Sequence, residues 1–248
     1  MPEFQSHDGI TIHYDDEGEG PLLVLLHGFA ADANVNFVRS GLLDALADAG
    51  YRVVAFDARG HGLSEKPTDT AAYGLSAIRA DVPALLDHLD ARDCVLVGFS
   101  MGGHTAIHVA GSEPRVRALV LLGVGSHGID DDSDSRARDR RRQVLAALEG
   151  NLTEVHDADL KRFPITAGLD REPLVAYVKA RLADPPEPFP PVRVPVLLVV
   201  GTEDEEAGDP VPLAAQLDAT LLRVPGNHFK ANGRPELHAA VIEFLRGL

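Results

Sequence analysis

Cys94-Val95-Leu96-Val97-Gly98-Phe99-Ser100-Met101-Gly102-Gly103 is the stretch on which the reading of the whole chain turns. Its first four residues are apolar and partly β-branched, the make-up of a buried strand. Residues 103–112 are rich in small side chains, with Ala106, Ile107, Val109 and Ala110 able to pack one face of a helix; Gly111 and Pro114 supply its stop. A strand that passes at once into a helix makes a tight, strained corner at Ser100. Gly98 and Gly102, two positions to either side, let neighbouring backbone come close. The corner exposes the Ser100 hydroxyl and turns backbone N–H groups toward the helix start, where negative charge is favoured. This suits a nucleophile whose attack creates an oxyanion. The competing reading, a glycine-rich turn with an incidental serine, leaves the flanking strand and helix unexplained.

Working outward, short apolar segments recur on both sides. Residues 10–14, 22–26 and 52–56 precede the corner; residues 118–122, 194–200 and 221–224 follow it. Leu22 to Leu26 is continuously apolar, as expected of a strand covered on both faces. Helical spacing falls between these segments: 35–49, with Phe37, Leu42, Leu43 and Leu46 inward; 75–89, with Pro83 inside it; and 235–245. Strands alternating with helices predict an α/β fold, a mostly parallel sheet with helices on both faces.

The alternation breaks at Ser126. Asp130-Asp131-Asp132-Ser133-Asp134 is acidic and residues 136–142 are basic, an order that suits a solvated helix with an acidic start better than a calcium loop. Further helical pieces are expected over 143–148, 153–163 and 172–183. Pro185-Pro186-Glu187-Pro188-Phe189-Pro190-Pro191 reads as a stiff extended return to the sheet. The expected organisation is a core of residues 1–125 and 192–248, with 126–191 as a small helical insertion.

The chain has 248 residues, 45% of them hydrophobic and 25% charged, enough to bury a large core without staples. A formal net charge of -15 argues against a nucleic-acid partner, which needs a basic surface. The single cysteine, Cys94, has no internal disulfide partner and falls in a predicted strand, so it reads as a core thiol. Residues 1–8 lack a basic start and an apolar segment, and no apolar run approaches a membrane span; the expectation is a cytoplasmic protein with no membrane partner. Zinc-type spacing and the dinucleotide G-x-G-x-x-G are absent, so no metal and no organic cofactor are expected.

Ser100, Asp204 and His228 all lie just beyond predicted strand ends. In a parallel sheet those ends share one edge, where sites form. A serine alcohol needs a base to become a nucleophile, and histidine titrates in the right range. The histidine in turn needs a carboxylate on its other nitrogen to fix its tautomer. The chain order Ser, Asp, His is one known order of this triad. His27 and His61 are rivals to His228, but each sits in a tight glycine-containing turn where a supporting role is expected. Glu203, Glu205 and Asp209 are rivals to Asp204; the glutamates should point elsewhere, and Asp209 stands at a helix start. Asp57 reads as structural.

These residues together resemble the α/β-hydrolase family over nearly the whole chain. The resemblance rests on His27-Gly28-Phe29, the Asp57-x-Arg59-Gly60-His61-Gly62-x-Ser64 loop, the Gly98–Gly103 elbow, Gly201-x-x-Asp204 and His228-Phe229. It implies an eight-stranded, mostly parallel sheet, a helical cap inserted after the sixth strand, and an oxyanion hole made by the backbone N–H groups of Phe29 and Met101. Two positions depart from the family pattern: Asn227 where many relatives have glycine, and Phe37 where relatives often have tryptophan. The serine at the elbow disfavours dehalogenase and epoxide hydrolase readings, since those relatives attack with an aspartate. The expected function is a serine hydrolase of the carboxylesterase type acting on small or medium carboxylic esters. Hydrolysis of a carbon–carbon bond in a vinylogous diketone, or of a lactone, uses a similar triad and is the alternative. From another class, a small-molecule receptor on a hydrolase scaffold would show slow or single turnover. The insertion should line the pocket, with Leu145, Leu148, Leu152, Phe163, Ile165, Leu169, Leu174 and Tyr177 as apolar candidates.

Overall fold

The structure, a computed structural model, describes residues 2–125, 135–156, 170–185 and 187–248, without the side chains of 135–137. Its strands are β1 Glu3–Gln5, β2 Thr11–Glu17, β3 Leu22–Leu26, β4 Arg52–Phe56, β5 Cys94–Phe99, β6 Val116–Leu122, β7 Val196–Gly201 and β8 Thr220–Val224. The helices are α1 Leu42–Asp48, α2 Leu75–His88, α3 Met101–Ala110, α4 Ser135–Glu149, α5 Arg171–Ala183, α6 Val211–Gln216 and α7 Pro235–Arg246. The eight strands form one sheet in the order β1-β2-β4-β3-β5-β6-β7-β8. β1 and β2 pair antiparallel at one edge, and all pairings from β4 to β8 are parallel.

The period-two pleat sends alternate residues of each strand into two cores. Leu22, Val24 and Leu26 of β3 join Val82, Leu85, Ala106 and Ile107 of α2 and α3 on one face. Leu23 and Leu25 join Leu42, Leu43 and Leu46 of α1 and Leu237, Val241 and Leu245 of α7 on the other. Both faces are covered, which explains why the central strands are apolar without interruption. Cys94 is part of the first core, and burial pushes its thiol up to about 12, so it behaves as a hydrophobe.

The chain runs from β3 outward to β4, then crosses back to β5 on the other side of β3 and continues outward to β8. The strand order therefore reverses between β3 and β5, and a crevice opens there beyond the carboxyl ends of the strands. Phe29 follows β3 and Ser100 follows β5, so both stand at that crevice.

Some elements differ from their sequence reading. The expected helix over 35–49 is two pieces: a single π-turn, Asn34–Val38, and α1. Gly41 between them is left-handed, at φ 76°, which ends one piece and starts the other. α2 runs continuously through Pro83. β1 has only three residues, and sequence patterning did not reveal it. Between β6 and β7 in chain order lie α4 and α5, which pack together through Leu148, Leu174 and Val178. The start of the helix expected over 153–163 is not helical at 153–156. The remainder of that segment, the acidic run Asp130–Asp134, and Phe163, Ile165 and Leu169 lie outside the described residues.

Candidate active site

Ser100 caps α3 with φ 50° and ψ −114°, a conformation an L-residue adopts only under constraint. Its own N–H donates to the Leu122 carbonyl at the end of β6 (2.9 Å), and its carbonyl accepts from His104 in the next turn (3.1 Å). A Cβ at Gly98 would come within 2.6 Å of the Gly102 carbonyl oxygen, and one at Gly102 would collide with the Leu26 carbonyl of β3. Both glycines are thus set by backbone packing. Met101 is the first residue of α3, where an N–H has no partner within the helix.

Asp204 sits in the turn after β7 and His228 in the loop after β8. Their side chains meet, with His228 Nδ1 2.9 Å from both carboxylate oxygens. Asp204 Oδ1 also accepts from the backbone N–H groups of Glu206 (3.1 Å) and Ala207 (3.0 Å), which anchor the carboxylate. Its side chain is wholly buried, whereas Glu203 and Glu205 are exposed. Asp209 accepts from the Val211 N–H at the start of α6, a helix-end contact.

The His228 ring packs against Phe99 at a tilt of 40°, with centroids 4.8 Å apart, and Phe99 directly precedes Ser100. A Cβ at Gly123 would lie 3.1 Å from His228 Cε1 and 2.9 Å from the Phe99 ring, so the bare backbone beyond β6 makes room for both rings. The structure brings Asp204 and His228 into direct contact and seats them beside the Ser100 corner. Among the described residues no hydrogen bond joins the Ser100 hydroxyl to His228. In ligand-free sites such a bond is commonly long.

The two rival histidines do other work. His27 Nδ1 lies 2.7 Å from the Gly28 carbonyl, and its Nε2 accepts from the Ala58 N–H (2.9 Å). A carbonyl accepts only, so the proton resides on Nδ1, and burial holds the ring below its ordinary pKa. His61 Nδ1 faces the Arg59 carbonyl at 3.0 Å. Burial and the neighbouring His27 push it down to about 3, and its Nε2 is buried with no hydrogen-bond partner among the described residues. Asp57 is structural: it accepts from the Ala33 and Leu63 N–H groups (2.9 and 2.8 Å) and ties the β3 and β4 loops together. Asn227 caps its own turn, its Oδ1 accepting from Lys230 N–H at 3.0 Å, while the position that needs glycine is Gly226, one residue earlier, at φ 127° and close to the Ala231 backbone.

Side chains of α4 and α5 pack against Phe29 and Ala30, the residues that follow β3. Tyr177 packs on Phe29, with centroids 5.3 Å apart, and also meets His61 and Tyr73. Leu145, Leu148 and Leu174, all foreseen as pocket candidates, join Phe29 and Ala30 in the same apolar cluster. Leu152 is partly exposed and is not in it. Asn36 was missed in the sequence reading: it is buried, and its Oδ1 accepts from the Gly28 N–H at 2.8 Å. Nothing in the local pattern marks it, since the contact spans a loop. A groove of about 610 Å³ elsewhere, at the β1 edge beside α2, holds none of these residues.

A sheet with its order reversed at β3/β5, a strained serine at the β5–α3 corner and a buried Asp–His pair define a recognisable class. The family described as alpha/beta hydrolase fold matches residues 21–154, more than half of the chain, and the chain belongs to that family. It is similar to the AB hydrolase superfamily protein YfhM of Bacillus subtilis, with 36% identity over 125 residues, 49% of this chain and 43% of that protein. It is also similar to a 2-hydroxy-6-oxononadienedioate/2-hydroxy-6-oxononatrienedioate hydrolase of Paraburkholderia phymatum, with 44% identity over 124 residues, 48% of this chain and 42% of that protein. The matched region spans less than half the length of both relatives. Among solved structures, the enol-lactonase from Burkholderia xenovorans LB400 aligns with a TM-score of 0.72 and 25% identity, covering 99% of this chain and 100% of that one.

Proposed function

We propose that this protein is a serine hydrolase that cleaves small or medium carboxylic esters through an acyl-enzyme at Ser100. The observation that carries the reading is the buried Asp204–His228 pair, 2.9 Å across, placed beside a serine held at φ 50°. In the proposed cycle His228 Nε2 takes the Ser100 proton as Oγ attacks the ester carbonyl. Asp204 keeps the proton of neutral His228 on Nδ1 and stabilises the imidazolium. The backbone N–H groups of Phe29 and Met101 receive the oxyanion; losing one such donor typically costs about 100- to 1,000-fold in rate. The imidazolium then protonates the departing alkoxide. Water, deprotonated by His228, attacks the acyl carbonyl and releases the acid and free Ser100. No metal or organic cofactor takes part in this scheme.

Residues 126–191 serve, on this reading, as a cap over the site. The packing of Tyr177, Leu148 and Leu174 on Phe29 supports that role. Lactone or carbon–carbon bond hydrolysis is the second reading, favoured by the names of the P. phymatum and B. xenovorans relatives.

Steady-state hydrolysis of p-nitrophenyl esters, from acetate to long acyl chains, tests the proposal against Ser100→Ala. Sustained turnover that falls at least about 1,000-fold in the variant is expected, and the best acyl length sizes the pocket. An equally active variant removes Ser100 from the chemistry. Absent ester turnover with lactone or diketone cleavage moves the protein to the second reading, and single turnover with retained ligand marks a receptor.

A further inference from the structure

The proposed oxyanion donor at Phe29 belongs to the peptide unit between Gly28 and Phe29. Its aim is set by the two peptide planes that meet at Gly28, and glycine by itself leaves both rotations free. The structure holds each plane by a separate side chain. In the plane after Gly28, the carbonyl accepts from His27 Nδ1 at 2.7 Å, and the proton is committed to Nδ1 because Nε2 accepts from Ala58 N–H. A trans peptide points its N–H opposite its C=O, so fixing the Gly28 carbonyl also fixes the direction of the Phe29 N–H. In the plane before Gly28, the Gly28 N–H donates to Asn36 Oδ1 at 2.8 Å. Phe99 fills the remaining side: a Cβ on Gly28 would lie 2.9 Å from its ring.

Asn36 is 6% exposed and comes from the π-turn Asn34–Val38, a locally widened, underwound turn closed by the Arg39 N–H on the Asn34 carbonyl (2.8 Å). Such turns recur at functional sites. Here the turn brings a side-chain carbonyl, eight residues along the chain, back onto the loop after β3.

We propose that Asn36 is a positioning residue of the oxyanion hole, which with His27 locks both rotations of Gly28 and so aims the Phe29 N–H at the developing oxyanion. This inference rests on the serine hydrolase reading and on Phe29 as donor. Asn36 acts through Gly28 and does not touch substrate. Its effect should therefore appear where charge develops on the carbonyl oxygen and be small in ground-state binding.

The test compares wild type, Asn36→Leu, Asn36→Asp and Ser100→Ala on the best p-nitrophenyl ester. Leucine keeps the volume and removes the acceptor; aspartate keeps an acceptor oxygen at the same reach. The measurements are kcat, KM, melting temperature and the inhibition constant of an alkyl trifluoromethyl ketone, whose serine adduct carries an oxyanion. Asn36→Leu is expected to lower kcat about 10- to 100-fold with KM within about twofold, and to weaken the ketone by a similar factor. Asn36→Asp should recover a large part of both. Wild-type kcat and ketone affinity in Asn36→Leu overturn the proposal while leaving the hydrolase reading intact. Equal losses in the Leu and Asp variants, tracking a fall in melting temperature, reduce Asn36 to a folding role and also overturn it. Full activity in Ser100→Ala removes the hydrolase reading, and this proposal falls with it.

Discussion

At the scale of single residues, the proposed mechanism depends on where one proton sits. Asp204 accepts from three donors, two backbone N–H groups and His228 Nδ1, which is shared between both carboxylate oxygens, so its orientation is fixed by the fold. Asp204→Asn keeps an oxygen for the Glu206 and Ala207 N–H groups and turns its NH2 toward His228 Nδ1. That nitrogen must then act as acceptor, the ring proton moves to Nε2, and Nε2 can no longer take the Ser100 proton. The expected result is a kcat lower by about 1,000- to 10,000-fold with an almost unchanged melting temperature. Retained activity would show that the carboxylate does not set the tautomer. His61 makes the same point by contrast. It is equally buried, but its Nδ1 meets a backbone carbonyl and not a carboxylate, and burial outweighs what that carbonyl does for an imidazolium.

At the scale of elements, Arg59 ties three segments together. Its guanidinium is 1% exposed and bonds Asp81 on α2 (2.6 and 2.8 Å), Asp8 in the β1–β2 turn (2.6 Å) and the Ala72 carbonyl (2.8 Å). Ser6 adds a bond to Asp81 at 2.5 Å. Arg59→Met leaves the buried Asp81 carboxylate without its cation, and urea unfolding should show a loss of about 3–5 kcal/mol. Pairing that change with Asp81→Leu removes the stranded charge and should restore much of the loss. If the double variant is no better than Arg59→Met, packing around Arg59 matters more than its charge. At this scale the sequence was misleading in one place. Apolar residues at helical spacing run from Phe37 to Leu46, yet the chain is interrupted at Gly41 and underwound before it. Hydrophobic spacing reports which side chains are buried, and Phe37, Leu42, Leu43 and Leu46 all are; it does not report where the backbone ladder is broken.

At the scale of the whole molecule, several buried histidines make stability depend on pH. Burial lowers His27 and brings His61 to about 3; burial with Arg141 and Arg181 nearby brings His104 to about 4. In the unfolded chain each titrates near 6.5. Between about pH 6.5 and 4 the unfolded chain therefore binds protons that the folded chain refuses, so stability rises with pH through that window. It falls as the solution is acidified, by at most about 1.4 kcal/mol per pH unit for each group. Urea midpoints measured from pH 7 to 4 should fall accordingly, with a shallower slope in His104→Gln. A flat profile would mean that the rings are protonated in the fold.

The sequence by itself determined the alternation of strands and helices, the strained elbow at Ser100, and the placing of Asp204 and His228 just past strand ends. These are local signals: strand composition, turn glycines and residue order act over a few neighbouring positions. Only the tertiary structure decided that β1 pairs as an eighth strand, since Glu3-Phe4-Gln5 is too short to show a period. It also decided that His228 and not His61 meets a carboxylate, and that Asn36 closes on Gly28. Those outcomes depend on which segments the sheet order brings side by side, and contact between residues far apart in the chain is fixed by packing, not by local pattern.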